Sequence, residues 1–332
     1  MQAIQAFIEK QGGPEVIDWR EVTLDPPGPG QALVRQNAIG LNYIDIYHRD
    51  GTYPVELPGG LGLEAAGEVL AVGEGVHALH PGDRVATFGP QRDAYASARN
   101  VPAASLYKLP ANIDDETAAA SLLKACTVEA LVERCARVEA GWPVLVHAAA
   151  GGVGLILVQW LKAVGATVIG TVSTEAKEQA ARDAGADHVI RYKTDDVAAH
   201  VREITDGQGV PVTFDGIGMA TWEVSLKATA RRGLIVSYGN AGGPVRGVDL
   251  GVLARHGSQF VTRPTLFDYY LDPGERAAGA ARVFEMIGDG KVTVTVGQRY
   301  GLEDAARAHA DLEAGRTTGS TLLIPDHGQP LG

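Results

Sequence analysis

The sequence predicts an α/β protein in which a doubly wound parallel sheet is set inside a β-rich domain. Three observations carry this reading. The loop His147-Ala148-Ala149-Ala150-Gly151-Gly152-Val153-Gly154 follows the apolar run Val144-Leu145-Val146 and opens a helix-like stretch over 155–164. Beyond it, short apolar runs alternate with stretches whose apolar residues fall at helical spacing, as in parallel strands joined by helices. In front of this block the texture is one of short β runs broken by turns, and behind it come two helical patterns and a final strand.

Taken in order, the runs 1–8, 31–38, 66–72 and 84–88 read as strands, punctuated by Pro26-Pro27-Gly28-Pro29-Gly30, Pro58-Gly59-Gly60 and Pro81-Gly82-Asp83. The Ala-rich stretch 114–138 reads as a helix, with Asn112 or Asp114 as its N-cap. The loop after 144–146 fits a G-x-G-x-x-G pattern, whose glycines allow a tight turn, close approach of backbone to a diphosphate, and tight packing of the following helix. The helix N-terminus adds N–H groups and a positive dipole end. Here Ala149 stands in the first glycine's place, and Gly151 and Gly154 in the other two. Strands at 167–172, 188–192, 212–215 and 234–238, a sixth at 259–262, and helices at 175–185, 195–206 and 219–230 complete a Rossmann-type sheet. The tail carries helical patterns at 275–287 and 303–314 and ends on Thr321-Leu322-Leu323-Ile324, a strand placed to return to the first domain's sheet. The expected division is 1–123 for the β-rich domain, 124–263 for the nucleotide domain and 264–332 for the return to the first.

The 332 residues, 45% hydrophobic and 21% charged, suffice for two buried cores. Net charge is -11 and the basic residues are scattered, which argues against nucleic acid and anionic membrane as partners. Neither a signal peptide nor an apolar span of about 18 residues is read, so the cytoplasm is the expected compartment. Cys126 and Cys135 fall on opposite faces of the expected helix at ~100° per residue, and are expected as free thiols in a reducing compartment.

A set of short motifs extends across the chain: Gly12-Gly13-Pro14-Glu15-Val16, Gly40-Leu41-Asn42-Tyr43-Ile44-Asp45, Gly62-Leu63-Glu64-Ala65-Ala66-Gly67, Pro81-Gly82-Asp83-Arg84-Val85, the loop at 149–154, Arg232-Gly233, Gly239-Asn240 and Thr262-Arg263-Pro264. With these the chain resembles, over essentially its whole length, the zinc-free NADPH:quinone reductases related to zeta-crystallin, within the medium-chain dehydrogenase/reductase superfamily. The resemblance implies a GroES-like catalytic domain joined to a Rossmann domain, a cofactor cleft between them, and a homodimer.

Zinc-dependent members of the superfamily place a Cys where this chain has Asn42 and a His where it has Leu63, and neither asparagine nor leucine is a normal zinc ligand. Two distant cysteines cannot build the Cys₄ cluster of a structural zinc lobe. His77 and His80 have no third ligand nearby and read as part of a solvated loop. No bound metal is expected, and without a Lewis acid to stabilise an alkoxide, alcohol oxidation is disfavoured.

Cofactor choice follows from charge. An NAD-specific site carries an acid at the end of its second strand, where it bonds the ribose hydroxyls and repels a 2′-phosphate. Here the segment reads Gly170-Thr171-Val172-Ser173-Thr174-Glu175-Ala176-Lys177, with a neutral strand end, a hydroxyl at Ser173, Lys177 one turn into the next helix and Tyr192 ending the adjacent strand. The expected cofactor is NADPH. Its expected contacts are Ala150, Gly151, Gly152, Val153, Gly154, Ser173, Lys177 and Tyr192, and the resemblance places Asn42 and Asp45 on the nicotinamide-side segment and Thr127 at the domain junction. The resemblance adds Gly239, Asn240, Arg263 and Arg316, although Arg316 follows Gly315 where relatives carry a basic residue.

The resemblance puts Asn42 and Tyr47 on the nicotinamide-side segment and Tyr53 in the loop that lines the substrate mouth of relatives, so these are the expected catalytic residues, acting by positioning. Each has a plainer reading: Tyr47 and Tyr53 as packing aromatics, Asp45 as a buried group holding a turn, and Thr127 as an ordinary helix residue. The expected activity is hydride transfer from NADPH to quinones or related electron-poor acceptors, with an enoyl or enone reductase as the alternative. The rival from another class is a binding or structural protein, as zeta-crystallin is in the lens.

Overall fold

The structure, a computed structural model, describes residues 1–327. The chain forms two compact units, Met1–Leu123 with the chain from Val294 onward, and Lys124–Thr293. Residues 264–293 therefore group with the nucleotide unit, where the sequence reading returned the chain to the first domain at 264. The helix Pro273–Gly288 buries Ala280, Val283 and Met286. Its Arg282 meets Glu133 at 3.1 Å, and just ahead of it Tyr270 Oη donates to Glu129 at 2.8 Å. Helical periodicity shows that such a face exists but not which domain it covers.

In the first unit, the strand Gln31–Leu41 is the hub of a seven-stranded sheet and pairs antiparallel with Glu64–Val72, Ala98–Pro102 and Ser320–Ile324. The expected return of the last strand is seen, with Thr321 opposite Leu41 and Leu323 opposite Ile39. Ile8, Ile39, Leu41, Leu61, Tyr95, Leu302 and Leu323 share one core. Strands at Asp18–Thr23, Ala98–Pro102 and Val296–Gly301 were not expected. The first and last of these expose alternate or most side chains, so their polar sequences carry little hydrophobic pattern.

The second unit is built on a six-stranded parallel sheet in the order His188–Arg191, Thr167–Val172, Pro143–Val146, Val210–Asp215, Thr229–Ser237, Phe260–Thr262. All six strands overlap expected ones, the fifth beginning at Thr229 rather than at 234. The helix expected over 219–230 spans only Trp222–Ala228, because Thr229 already enters the next strand. The Ala-rich helix runs Asp115–Glu129, where Asp114 Oδ1 accepts from Thr117 N at 2.7 Å, and continues as a π-helix, Ala130–Ala136, that stops at Arg137 with φ 50. Neither cysteine forms a disulfide, Cys126 being buried and Cys135 half-buried. No helix among the described residues is long and apolar enough to cross a membrane.

Candidate active site

The glycine loop of the second unit turns on Ala148, which adopts φ 54 and accepts at its carbonyl from Gly151 N at 3.0 Å. The helix Gly152–Val164 starts from Gly151 without a side-chain cap, so its first-turn N–H groups have no acceptor within their own helix and are placed to meet an anion. A Cβ on Gly154 would run into Ala148 O and the Ala149 carbonyl carbon, so only glycine lets the helix pack this close to the turn.

Parallel register brings the second cofactor cluster together. Arg191 lies opposite Val172, and Tyr192 N donates to Val172 O at 3.1 Å, so Ser173 and Tyr192 leave adjacent strand ends side by side. Lys177 sits in the first turn of the helix Glu175–Asp183, its N–H on the capping Thr174 Oγ1. Partial burial and the charge of Lys193 push the Lys177 ammonium below its usual pKa. Two lysines gathered at a strand end, Thr171-Val172-Ser173, that carries no acid form a set that a 2′-phosphate would stabilise. Lys193 was not read from the sequence; its place directly after Tyr192 was the available signal.

At a third strand end, Asn240 Oδ1 accepts from Arg263 Nη2 at 3.2 Å, and Arg263 Nη1 donates to Ser237 O at 2.7 Å. A Cβ on Gly239 would run into Gly216 O. Thr127 lies half-buried on the helix Asp115–Glu129. The backbone cradles of Gly154 and Gly239, the helix N-terminus and the paired lysines therefore fit a phosphorylated dinucleotide.

In the first unit, Asn42 is 5% exposed, and its Nδ2 donates to Glu64 Oε2 at 2.8 Å and Gly40 O at 3.2 Å. Glu64 is fully buried and accepts at Oε1 from Leu123 N at 2.7 Å. This carboxylate escaped the sequence reading, although an acid within Leu63-Glu64-Ala65-Ala66 was its signal. Asp45 accepts from Asn42 N at 2.9 Å, closing the N-terminus of the helix Tyr43–Asp50, and from Tyr95 Oη at 3.1 Å.

Behind Asp45 a buried chain fixes its own proton directions. Arg49 Nη1 lies 3.2 Å from His309 Nδ1, and an arginine only donates, so Nδ1 accepts. The His309 proton is then on Nε2, which donates to Tyr95 Oη at 2.9 Å, and the Tyr95 hydroxyl donates in turn to Asp45. Burial and the Arg49 charge hold the His309 pKa down at about 3, in keeping with a neutral ring. Arg49, itself buried, pairs with Glu313 at 2.7 Å.

Tyr47 is 7% exposed and packs between Tyr43 and Tyr53, with ring centroids 5.4 and 5.0 Å away. Gln11 Nε2 holds the Tyr53 segment by donating to the carbonyls of Tyr53 and His48. Arg316 already engages Asp311, Nη2 to Oδ1 at 2.5 Å. As for metal donors, the Asn42 amide nitrogen is committed to Glu64, Leu63 is buried and apolar, and His80 lies exposed beside Asp83. Among the described residues no group of three or more His, Cys, Asp or Glu is placed to hold a metal ion.

A dinucleotide-type sheet inserted in a β-rich domain defines the broad class, and comparison with known proteins narrows it. Residues 28–111 match the alcohol dehydrogenase GroES-like domain family, and residues 152–266 match the zinc-binding dehydrogenase family. The chain is 48% identical over 315 residues to a quinone oxidoreductase of Pseudomonas aeruginosa, covering 95% of this chain and 97% of that protein. It is 43% identical to a 2-haloacrylate reductase of a Burkholderia species, covering 96% of this chain and 98% of the other. The crystal structure of Escherichia coli quinone oxidoreductase complexed with NADPH superposes with a TM-score of 0.95 at 46% identity, covering 97% of this chain and all of that one. The chain belongs to the quinone oxidoreductase family of the medium-chain dehydrogenase/reductase superfamily.

Proposed function

We propose that this protein reduces quinones with NADPH and needs no metal ion to do so. The observation that carries the cofactor reading is the pairing of Lys177 with Lys193 at an acid-free strand end, next to a glycine loop shaped for a diphosphate. The likeness to quinone oxidoreductases, one of them solved with NADPH, supports both the cofactor and the acceptor.

When bound, NADPH supplies the hydride; the chain binds and orients. Ala150, Gly151, Gly152, Val153 and Gly154 take the diphosphate, and Ser173, Lys177, Tyr192 and Lys193 the 2′-phosphate. Asn42, Thr127, Gly239, Asn240, Arg263 and Arg316 hold the rest of the cofactor, while Asp45, fully buried on Asn42 N and Tyr95 Oη, supports the turn that presents Asn42. Asn42, with its amide fixed by buried Glu64, and the tilted, packed rings of Tyr47 and Tyr53 orient the acceptor. A quinone that accepts hydride becomes a resonance-stabilised hydroquinone anion, which water protonates, so no side-chain acid is required. Tyr47→Phe and Tyr53→Phe should each cost less than the roughly 10² to 10⁴ expected on removal of a general acid.

The second reading, reduction of an electron-poor alkene, rests on the 43% identity to the 2-haloacrylate reductase. Comparing kcat/KM for a benzoquinone with that for an activated alkene separates the two. Preference for the quinone supports the first reading, and an alkene preference together with a loss above about a thousandfold in either tyrosine variant replaces it with the second.

The same reading makes the enzyme a cytoplasmic homodimer. Two unbridged thiols suit a reducing compartment. Phe260–Thr262 is the outermost strand of its sheet and exposes Phe260 by 61% and Val261 by 39%, an apolar edge of the kind a second copy covers.

A further inference from the structure

One buried polar thread joins the ends of three parallel strands that carry the cofactor residues. His147, which ends the strand before the glycine loop, is 2% exposed. Its Nδ1 lies 3.1 Å from Thr171 Oγ1, on the strand that leads to Ser173, and its Nε2 lies 3.1 Å from Ser225 Oγ. Ser225 Oγ is 2.7 Å from Asp215 Oδ2, at the end of a third strand. Asp215 is 1% exposed and also accepts from Ile217 N, Gly218 N and Thr221 Oγ1. The backbone then carries the thread on, Tyr238 N donating to Asp215 O at 2.8 Å directly before Gly239.

Proton directions follow from the partners. Asp215 accepts at every one of these contacts, so the single Ser225 hydroxyl proton points to Asp215, and Ser225 Oγ is left to accept from His147. His147 therefore donates through Nε2–H, and its bare Nδ1 accepts from Thr171. Burial pushes its pKa down, in line with a neutral ring. The next residue is Ala148, whose φ of 54 is a conformation that costs a non-glycine residue free energy and persists only where neighbours impose it. His147 is clamped on both ring nitrogens and, through His147 N to Phe214 O at 3.0 Å, on its backbone. It is thereby anchored at the point where this turn begins, next to the Ala149 N to Thr171 O bond at 3.0 Å.

We propose that His147 is a positioning residue for cofactor binding, a neutral Nε2–H imidazole that holds the glycine loop in register with the Ser173 and Gly239 strand ends. It touches no cofactor atom and acts through the loop. The proposal rests on the dinucleotide reading of that loop. Because the loop serves the diphosphate, loosening it should weaken NADPH and NADH alike, unlike the loss of Lys177 or Lys193.

The test is a pair of variants, His147→Leu and Ser225→Ala, examined by binding and by NMR. Dissociation constants for NADPH and NADH, from the fluorescence of the reduced nicotinamide and corrected for the folded fraction, should rise about tenfold or more for His147→Leu, by the same factor for both cofactors. Ser225→Ala should do the same to a smaller extent, and the double variant should add little to His147→Leu. In the ligand-free wild-type protein, the ¹⁵N spectrum of His147 should show the neutral Nε2–H tautomer throughout pH 5.5 to 8, the range about the ordinary histidine pKa. Variants that melt earlier but bind with wild-type constants would reduce His147 to a stability role and overturn the proposal, as would a ring that titrates in that range. If wild-type protein binds neither NADPH nor NADH, the cofactor reading falls and takes this proposal with it. If wild-type binds and His147→Leu binds equally well, the proposal falls alone.

Discussion

In the proposed function Lys177 and Lys193 set cofactor choice by charge, at a strand end, Thr171-Val172-Ser173, that itself carries no acid to favour a free ribose. Lys177→Ala should weaken NADPH by about 1.5 to 3 kcal/mol, the range for a hydrogen bond to a charged group, and leave NADH nearly unchanged. Titration with both cofactors checks this, and equal losses would make Lys177 structural. His309 gives a prediction with a pH sign. Its folded pKa is depressed to about 3 from 6.5, so its contribution to stability is complete above pH 6.5. It is lost progressively as pH falls toward 3, because the unfolded chain takes up a proton that the folded one refuses. The loss is on the order of 4 kcal/mol by pH 3. Urea midpoints measured from pH 7 to 4 should fall more steeply for wild-type than for His309→Gln; parallel curves would show that this ring does not drive the acid response. At this scale the sequence disclosed residue types and motif positions, hence Asn42, Ser173, Lys177 and the glycine loop. It did not disclose Glu64, Tyr95 or His309, because their partners are 22 to 260 residues away along the chain and no local pattern ties them together.

Individual elements bring those residues within reach. Gly40 is an instance: a Cβ there would run into Ala119 O and Glu64 Oε2, and Glu64 holds Asn42. Gly40→Ala should destabilise the protein by about 1 to 3 kcal/mol through overpacking, and should also lower kcat by moving Asn42. Denaturation and steady-state kinetics on one preparation test both, and unchanged kcat in the folded variant would free Asn42 from its positioning role. The edge strand Phe260–Thr262 makes a separate prediction. Val261→Lys puts a charge on the apolar edge and should shift sedimentation from dimer to monomer, whereas an unchanged dimer would locate the interface elsewhere. The parallel strands were legible because both faces of such a sheet are covered, leaving concentrated runs such as Val144-Leu145-Val146. Asp18–Thr23 and Val296–Gly301 were not, since exposed pleats dilute the same signal. The π-helix Ala130–Ala136 was read as plain helix, because a change of hydrogen-bond spacing from four to five residues leaves composition untouched.

For the whole molecule, the order of β-rich segment, parallel sheet and returning strand was readable from alternation and length, and the pairing of Ser320–Ile324 with Gln31–Leu41 matches it. The second boundary was not, because the packing of Tyr270 and Arg282 on Glu129 and Glu133 is a tertiary fact. The proposed metal independence would separate this chain from the alcohol dehydrogenases sharing its architecture, and it rests on Asn42 and Leu63 standing where zinc ligands would be needed. The most direct measurement mixes chelator-treated protein of known metal content with NADPH and a benzoquinone and follows the reduced nicotinamide band at ~340 nm. The rate should equal that of untreated protein, exceed the rate with NADH, and occur with substoichiometric zinc. No quinone-dependent loss of absorbance, or a rate that disappears on chelation and returns with one zinc per chain, would contradict a zinc-free NADPH-dependent quinone reductase.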